Sequence, residues 1–236
     1  MRLEQGQITV LKQEQAIIEN SYSSLKDFIQ VSFAIDFPKD ISGKRILGVG
    51  EGLSEATLRL REMGAEAWAI DPKYADMKAL RKGLEEDLTI FRTWLLGDQS
   101  MTDSEKYIIM RRNTNTVDSF FSPNDNANRQ YHIAASACFL PFADRTFDLY
   151  FSSYAVSSFL LPSDVVFRQA IDEGLRVLRP GGELQLYPWV PNEKGDHPEE
   201  RATQERLFEN LQSRSIAFAV EPTSYTTPPR LKITLP

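Results

Sequence analysis

The sequence predicts an α/β fold, doubly wound around a mainly parallel sheet, from three observations. Short apolar runs alternate with segments of helical periodicity, which is the pattern of βαβ units. A glycine-rich turn at residues 48–52 lies directly between the first apolar run and the helix that follows. The 236 residues, 42% of them hydrophobic and 25% charged, contain enough apolar material for one globular core. We therefore expect residues 1–236 to form a single domain.

The chain begins with a predicted helical preface, residues 1–40. Apolar side chains recur there at three- and four-residue spacing, and Pro38 ends the pattern. The members of this apolar face are Ile17, Ile18, Tyr22, Leu25, Phe28, Ile29 and Phe33.

The alternation of strands and helices starts after this preface. Strands are predicted at 45–50 and 66–71, and helices at 54–63 and 74–96. The periodicity then fails over 97–130, where asparagines cluster. A loop of this length in a compact domain is typical of a functional lid or a disordered stretch. We expect a lid-like insertion before strand 4.

The regular pattern resumes after the insertion. The predicted strands are 131–137, 146–152 and 182–189, the helices are 163–178 and 199–211, and an antiparallel pair, 217–220 with 230–235, closes the sheet. Pro180 and Gly181 are expected to stop the helix before the fifth strand.

The composition excludes several classes of function. A single cysteine, Cys138, allows neither an intramolecular disulfide nor a cysteine zinc site, and the two histidines, His132 and His197, are far apart. We therefore expect no metal site. A net charge of −6 argues against a non-specific grip on nucleic acid. The first residues lack the uninterrupted apolar run of a signal peptide, and no window is long and apolar enough for a membrane span, so we expect a cytoplasmic protein away from the membrane.

The glycine-rich turn and an aspartate after the next strand form the informative constellation. Gly48, Gly50 and Gly52 allow the backbone to turn tightly and a ligand to lie against it. Asp71 lies 21 residues beyond Gly50, at the end of the neighbouring strand, where a carboxylate can accept hydrogen bonds from ribose hydroxyls. This combination is typical of sites for adenosine-containing cofactors.

Two cofactor classes fit the constellation, a dinucleotide and S-adenosylmethionine. The dinucleotide motif Gly-x-Gly-x-x-Gly fails in both registers, because Leu53 and Glu55 stand where the third glycine is needed. Glu51 would also put negative charge beside a pyrophosphate, whereas a phosphate-free sulfonium cofactor tolerates it. The residues favour S-adenosylmethionine.

Four segments together resemble the class I S-adenosylmethionine-dependent methyltransferases, of the methyltransferase-11-like kind. They are residues 46–52, 62–71, 140–153 and 175–184, and they occur in the order of the family. The resemblance implies a Rossmann-like sheet of seven strands with the last strand antiparallel, and S-adenosylmethionine as the cofactor.

The resemblance also implies cofactor contacts at particular residues. The backbone of 50–52 would contact the aminoacyl part, Asp71 the ribose, and Ser136 with Ala137 the adenine. The full set of implied cofactor residues is Gly48, Gly50, Glu51, Gly52, Asp71, Ser136, Ala137 and Ser153.

Three positions depart from the pattern of the family. Gly48 stands where an acidic residue is usual, Ser54 replaces the third glycine, and Ser136 replaces an acidic residue at the adenine. Glu51 is the nearby residue that could replace the missing carboxylate.

Methyl transfer is an in-line displacement that depends mainly on alignment and on the exclusion of water, so few catalytic side chains are needed. The catalytic candidates are Tyr154, just past the fourth strand beside Ser153, and His197, in the loop after the fifth strand. The expected acceptor is an oxygen or nitrogen atom of a small molecule or of an accessible protein side chain.

Two alternative functions stay open at this point. The departures at Gly48, Ser54 and Ser136 are compatible with a non-catalytic binding or regulatory protein that keeps the cofactor fold. RNA methylation is the lesser alternative, because no basic patch or appended RNA-binding domain accompanies the fold, and a nucleic-acid partner is not expected.

Overall fold

The computed structural model describes residues 35–51, 56–97, 99, 102–104, 106–107, 110, 130–189, 198–223 and 228–236. Four regions of interest therefore lie outside the described residues: most of the helical preface, Gly52, most of the insertion, and His197. The predictions made for these regions stay predictions.

The described elements alternate as the sequence predicts. In chain order they are β1 (Arg45–Val49), α1 (Ala56–Glu62), β2 (Glu66–Ile70), a 3₁₀ turn (Pro72–Ala75), α2 (Met77–Gly97), β3 (His132–Ile133), β4 (Phe147–Ser153), a π-helical segment (Ala155–Leu160), α3 (Asp164–Val177), β5 (Leu178–Tyr187), α4 (Pro198–Ser213), β6 (Ala217–Glu221) and β7 (Arg230–Thr234).

The strands form one seven-stranded sheet in the order β3-β2-β1-β4-β5-β7-β6. Strands β1 to β5 run parallel, and β7 pairs antiparallel with both β5 and β6. This confirms the predicted Rossmann-like sheet with its antiparallel last strand. Because the first strands are parallel, the segments that follow β1, β2, β3 and β4 all leave the sheet at the same edge.

Helices cover both faces of the sheet, as the doubly wound prediction requires. On one face α3 and α4 pack against the sheet through a cluster that includes Leu47, Val49, Tyr150, Phe167, Ile171, Leu184, Leu186, Leu207, Leu211, Leu231 and Ile233. On the other face α1 packs through a cluster that includes Ile46, Ala56, Leu60, Ala67, Leu149, Phe151 and Tyr187. Alternate residues of each strand thus enter opposite cores. No described helix is long and apolar enough to cross a membrane.

The predicted helix of the preface is wrong for residues 35–40. These residues are not helical, and Ile35 and Phe37 are buried in the core beside α1. Both backbone groups of Asp36 bond to the Gln185 side chain and not to a helical neighbour. Oε1 of Gln185 accepts from the Asp36 N–H at 2.9 Å, and Nε2 donates to the Asp36 carbonyl at 2.8 Å. A side chain from the sheet therefore holds the backbone of this segment at Asp36.

Other predicted boundaries also need correction. The third strand ends at Ile133 and not at residue 137, and the predicted insertion before strand 4 lies directly before this third strand. The helix predicted at 74–96 begins at Met77, because Asp71 and Pro72 start a separate 3₁₀ turn. Strand β5 begins at Leu178 and includes Pro180 and Gly181, which were expected to form a turn.

The early start of β5 is possible because its pairing with β4 is irregular. Phe147 pairs with Leu178, but the next pair is Leu149 with Glu183. The extra residues of β5 form a bulge, in which Gly181 has a φ of +74°. The local turn signal was therefore real, but it lies within a strand.

Arg176 on α3 holds the segment that follows β3. Its guanidinium donates to the carbonyls of Phe142 at 2.9 Å and Leu140 at 3.1 Å, and pairs with Glu173 and Asp144 at 2.7 Å each. Glu173 in turn accepts from the Leu140 backbone N–H at 2.8 Å. These bonds attach the loop before β4 to the helix layer. The Arg176 hydrogen bond holds the pKa of the Glu173 carboxyl below its ordinary value.

Replacing Arg176 with methionine is expected to lower the free energy of unfolding at pH 7 by about 2 kcal/mol, because charged hydrogen bonds to two carbonyls and two carboxylates are lost. Since the folded-state pKa of Glu173 is lowered, its stabilisation is present above the ordinary value of 4.5 and is lost as the pH falls through the folded pKa. Urea unfolding at pH 7 and pH 3 should show a smaller difference from wild type at pH 3.

The matched control is Arg201→Met, which removes an exposed ion pair with Glu205 on α4. We expect a loss of about 0.5 kcal/mol or less for this variant. Equal losses for the two variants would contradict the assignment of Arg176 as the residue that holds the loop.

Candidate cofactor and acceptor site

The turn after β1 requires glycine at position 50. Gly50 has a φ of +70°, and its N–H donates to the carbonyl of Ile70 at 2.8 Å. A Cβ on Gly50 would overlap the Cβ of Ala155, which comes from the segment after β4. Glycine is therefore needed both for the left-handed backbone and for the close approach of a neighbouring segment.

The Glu51 carboxylate folds back over β1 at position 48. A Cβ on Gly48 would overlap Oε1 of Glu51, so the two positions cannot both carry a side chain in this arrangement. The same carboxylate accepts from the hydroxyl of Thr57 at 2.8 Å and from its backbone N–H at 3.3 Å. Since Thr57 is fully buried, the carboxylate lies at the start of α1 and beside the end of β1.

Asp71 lies directly after β2, at the edge of the sheet where β1 also ends. Its side chain is only 8% exposed, and Oδ1 accepts from the backbone N–H of Lys73 at 2.9 Å. Its own N–H donates to the carbonyl of Ile133 at 3.2 Å. The aspartate is therefore held between the end of β3 and the first turn of the following 3₁₀ segment.

Tyr74 lies close to both of these carboxylates. Burial raises the pKa of its phenol, and the negative charges of Glu51 and Asp71 raise it further. Its ring packs edge-on against His132 of β3, with 5.3 Å between ring centroids. A neutral phenol thus shares this part of the site with two carboxylates, and the local potential is negative.

The two residues implied at the adenine, Ser136 and Ala137, lie in a tight turn after β3. The predicted strand at 131–137 would have made them strand residues. Instead, the Ser136 hydroxyl accepts from the N–H of Cys138 at 3.1 Å, and its carbonyl accepts from the N–H of Phe139 at 3.1 Å. Cys138 is buried, as expected for a small core residue.

The segment after β4 holds Tyr154 in a strained backbone conformation. Its φ is +65°, a left-handed value that is costly for a residue with a side chain. Three hydrogen bonds hold the turn: Tyr154 N–H to the Tyr187 carbonyl at 2.5 Å, Ser157 hydroxyl to the same carbonyl at 3.2 Å, and Val156 N–H to the Ser152 hydroxyl at 3.1 Å.

The Tyr154 side chain is exposed but not loose. Its ring is 53% exposed and meets the buried ring of Tyr187 edge-on, with 5.5 Å between centroids and an interplanar angle of 88°. The two side chains also share a hydrogen bond, which together with burial raises the pKa of the Tyr154 phenol. Both the backbone and the ring of this residue are therefore fixed by β5.

The structure brings most of the predicted site residues to one edge of the sheet. Gly50, Glu51, Asp71, Ser136, Ala137, Ser153 and Tyr154 all follow or end parallel strands there, while Gly48 lies within β1 beneath the Glu51 carboxylate. Gly52 and His197 lie outside the described residues.

Comparison with known proteins finds a family match over part of this site. Residues 110–186 match the family model of a methyltransferase domain, and this range includes β3, β4, the Tyr154 segment and most of β5. This segment, about a third of the chain, is therefore similar to a methyltransferase domain.

A curated relative and several solved structures are similar to this chain. The relative is the ubiquinone/menaquinone biosynthesis C-methyltransferase UbiE of Roseobacter denitrificans, 39% identical over 62 residues. That match spans 25% of this chain and 23% of the relative, so the chain matches about a quarter of the relative's length.

The solved structures include a methyltransferase of Aquifex aeolicus, with 16% identity, a TM-score of 0.42, and 83% and 82% of the two chains covered. A methyltransferase of Methanosarcina mazei has 16% identity, a TM-score of 0.44, and 85% and 97% covered. The YcgJ protein of Bacillus subtilis has 16% identity, a TM-score of 0.46, and 83% and 69% covered. At these identities the likenesses assign no substrate.

Sequence reasoning missed Thr57, Tyr74 and Tyr187 at the candidate site. Thr57 and Tyr187 stand within a predicted helix and strand, and Tyr74 at a predicted helix start, where nothing in the local pattern indicates a contact with the site. The one available signal for Tyr74 was its position three residues after Asp71, directly following a strand end.

The strain at Tyr154 predicts an unusual order of stability between two variants. Tyr154→Gly and Tyr154→Ala both remove the ring, but only glycine adopts the left-handed backbone without strain. We expect the glycine variant to be more stable than the alanine variant by about 1 kcal/mol, measured by urea unfolding.

Position 90 provides the control, because Ile90 is exposed on the regular helix α2. There the order should reverse, with Ile90→Gly less stable than Ile90→Ala by about 1 kcal/mol. If Tyr154→Ala were as stable as Tyr154→Gly, the backbone at this position would not be strained.

Proposed function

We propose that this protein transfers the methyl group of S-adenosylmethionine to an oxygen or nitrogen atom of a small molecule or an accessible protein side chain. The observation that carries the proposal is the pair of carboxylates, Glu51 and Asp71, on either side of the left-handed turn at Gly50. When bound, S-adenosylmethionine supplies a methyl group on a positively charged sulfur.

The residues present suit a cofactor with a ribose and two positive charges. Asp71 is a fixed and nearly buried acceptor for ribose hydroxyls, which would donate to its carboxylate. The negative potential around Glu51, Asp71 and Tyr74 favours the cofactor's ammonium and sulfonium groups. The backbone of Gly50 and Gly52 would contact the aminoacyl part, and Ser136 with Ala137 would contact the adenine.

Glu51 takes the place of the acidic residue that Gly48 does not supply. Its carboxylate occupies the space into which a side chain at position 48 would extend. In this proposal the ammonium group of the cofactor pairs with Glu51, and Gly48 is glycine because the carboxylate of Glu51 fills its side-chain space. In this proposal, the glycine that replaces the usual acidic residue at position 48 is compatible with cofactor binding and does not indicate a lost function.

The acceptor would approach from the side of β4, where Ser153 and Tyr154 end the strand. A small molecule or protein acceptor is the proposed partner, with no membrane or nucleic acid involved. The name of the curated relative describes a C-methyltransferase. A carbon acceptor is therefore the second candidate, and it rests on that name alone.

Asp71→Asn tests the proposed ribose contact. Asparagine keeps the hydrogen bond from the Lys73 N–H and so keeps the turn, but it loses the charge that strengthens hydrogen bonds from ribose. We expect the Kd for S-adenosylmethionine to rise about 10- to 100-fold in calorimetry, with no change in melting temperature.

Asp76→Asn is the control for that experiment. Asp76 is exposed and accepts from the Lys78 N–H at 3.1 Å, so the same substitution changes the same kind of turn contact away from β2. Its Kd should stay within about twofold of wild type. An Asp71→Asn protein with wild-type affinity would rule out the ribose contact.

An exchange of side chains tests the role of Glu51. Glu51→Ala should raise the Kd for S-adenosylmethionine about tenfold, since a charged pair with the ammonium is lost. Gly48→Asp alone should also weaken binding, because two carboxylates then compete for one space. The double variant Gly48→Asp/Glu51→Ala should recover most of the lost affinity, measured by calorimetry.

Thr57→Ala separates cofactor binding from the structural contact of Glu51. It removes the hydroxyl that donates to Glu51 but keeps the carboxylate, so stability should fall while the Kd stays within about threefold of wild type. The exchange itself has a clear negative outcome. If Gly48→Asp/Glu51→Ala bound S-adenosylmethionine no better than Glu51→Ala alone, a carboxylate at this place would not be what binds the cofactor.

A further inference from the structure

The Tyr154 turn is held more firmly than its exposure would suggest. The carbonyl of Tyr187 accepts two hydrogen bonds from this turn, one from the Tyr154 N–H and one from the Ser157 hydroxyl. A strained backbone persists where its surroundings determine it in this way, and such residues cluster at ligand-binding and active sites.

The strained turn lies close to the glycine turn after β1. Ala155, the next residue, packs against Gly50 so closely that no Cβ fits between them. Tyr154 therefore lies immediately beside the glycine turn of the proposed cofactor site, at the ends of β4 and β5. Its ring is held edge-on by Tyr187 and remains 53% exposed.

A fixed and exposed aromatic ring offers one kind of contact particularly well. A flat ring whose orientation is already set can stack with another planar group at little cost in side-chain entropy. The phenol of Tyr154 is protonated at neutral pH, since burial raises its pKa from an ordinary value of 10.0. The residue thus offers an aromatic surface and a hydroxyl that can donate a hydrogen bond.

We propose that the Tyr154 ring is the surface on which the methyl acceptor stacks, that Tyr187 orients this ring, and that the acceptor accordingly carries a planar conjugated ring. This inference rests on the proposed function, because it assigns the acceptor side of the same site. It names a class of acceptor that the proposed function leaves open.

A pair of probes tests the preference for a planar group. Catechol and trans-1,2-cyclohexanediol carry the same two neighbouring hydroxyls, but only catechol is planar. Their binding is measured by saturation-transfer NMR titration, with and without saturating S-adenosylhomocysteine. We expect wild type to bind catechol at least about tenfold more tightly than the saturated diol.

Three variants test whether catechol binding depends on the aromatic ring at position 154 or only on an apolar side chain of similar size. Tyr154→Phe keeps the ring and should bind catechol within about threefold of wild type, whereas Tyr154→Leu keeps bulk without a ring and should bind about tenfold more weakly. Tyr187→Phe keeps the edge contact but loses the hydroxyl bond that orients the ring, and a Kd two- to threefold higher is expected. All three should bind S-adenosylhomocysteine within about threefold of wild type.

The outcomes distinguish this inference from the proposed function. Equal affinity for catechol and the diol, or wild-type catechol affinity in Tyr154→Leu, would overturn the stacking surface. Failure of wild type to bind S-adenosylhomocysteine would instead overturn the proposed function, and the titrations without that compound would still decide whether Tyr154 selects planar ligands.

Discussion

The close contact between Gly50 and Ala155 is the constraint on which the rest of the site depends. It joins the turn after β1 to the segment after β4, two neighbouring parallel strands, and it leaves no space for a side chain at position 50. The contact therefore sets how closely the proposed cofactor and acceptor sides of the site approach each other. In a displacement reaction this separation matters more than any single catalytic group.

On the cofactor side, the charged carboxylate of Glu51 also fills the side-chain space at Gly48. The carboxylate of Glu51 lies over Gly48 and accepts from Thr57, so one side chain connects the end of β1, the start of α1 and the negative region around Tyr74. The absence of a side chain at 48 and the presence of a carboxylate at 51 are two parts of one arrangement. Position by position they read as departures from the family, but in space they are complementary.

On the acceptor side, strand β5 holds the strained turn at Tyr154 in place. Strand β5 supplies the carbonyl and the ring of Tyr187 that hold Tyr154. Gln185, on the same face of that strand, holds the backbone of Asp36. The strained turn is thus supported by a strand that pairs with β4 on one side and with β7 on the other. Strain at Tyr154 is sustained because the neighbouring strand cannot yield without losing its own pairing.

The sequence by itself determined the α/β class, the order of strands and helices, the glycine turn and the position of Asp71, because periodicity and turn residues act over short distances along the chain. Tertiary structure alone decided the extended course of residues 35–40, the short β3, the bulge at Gly181, and the roles of Tyr187 and Thr57. Most of these depend on contacts between residues distant in sequence, and local patterns contain no information about such partners. Gly48 and Thr57 contact Glu51 only a few residues away, but these contacts depend on the fold of the turn, which brings that carboxylate over the strand.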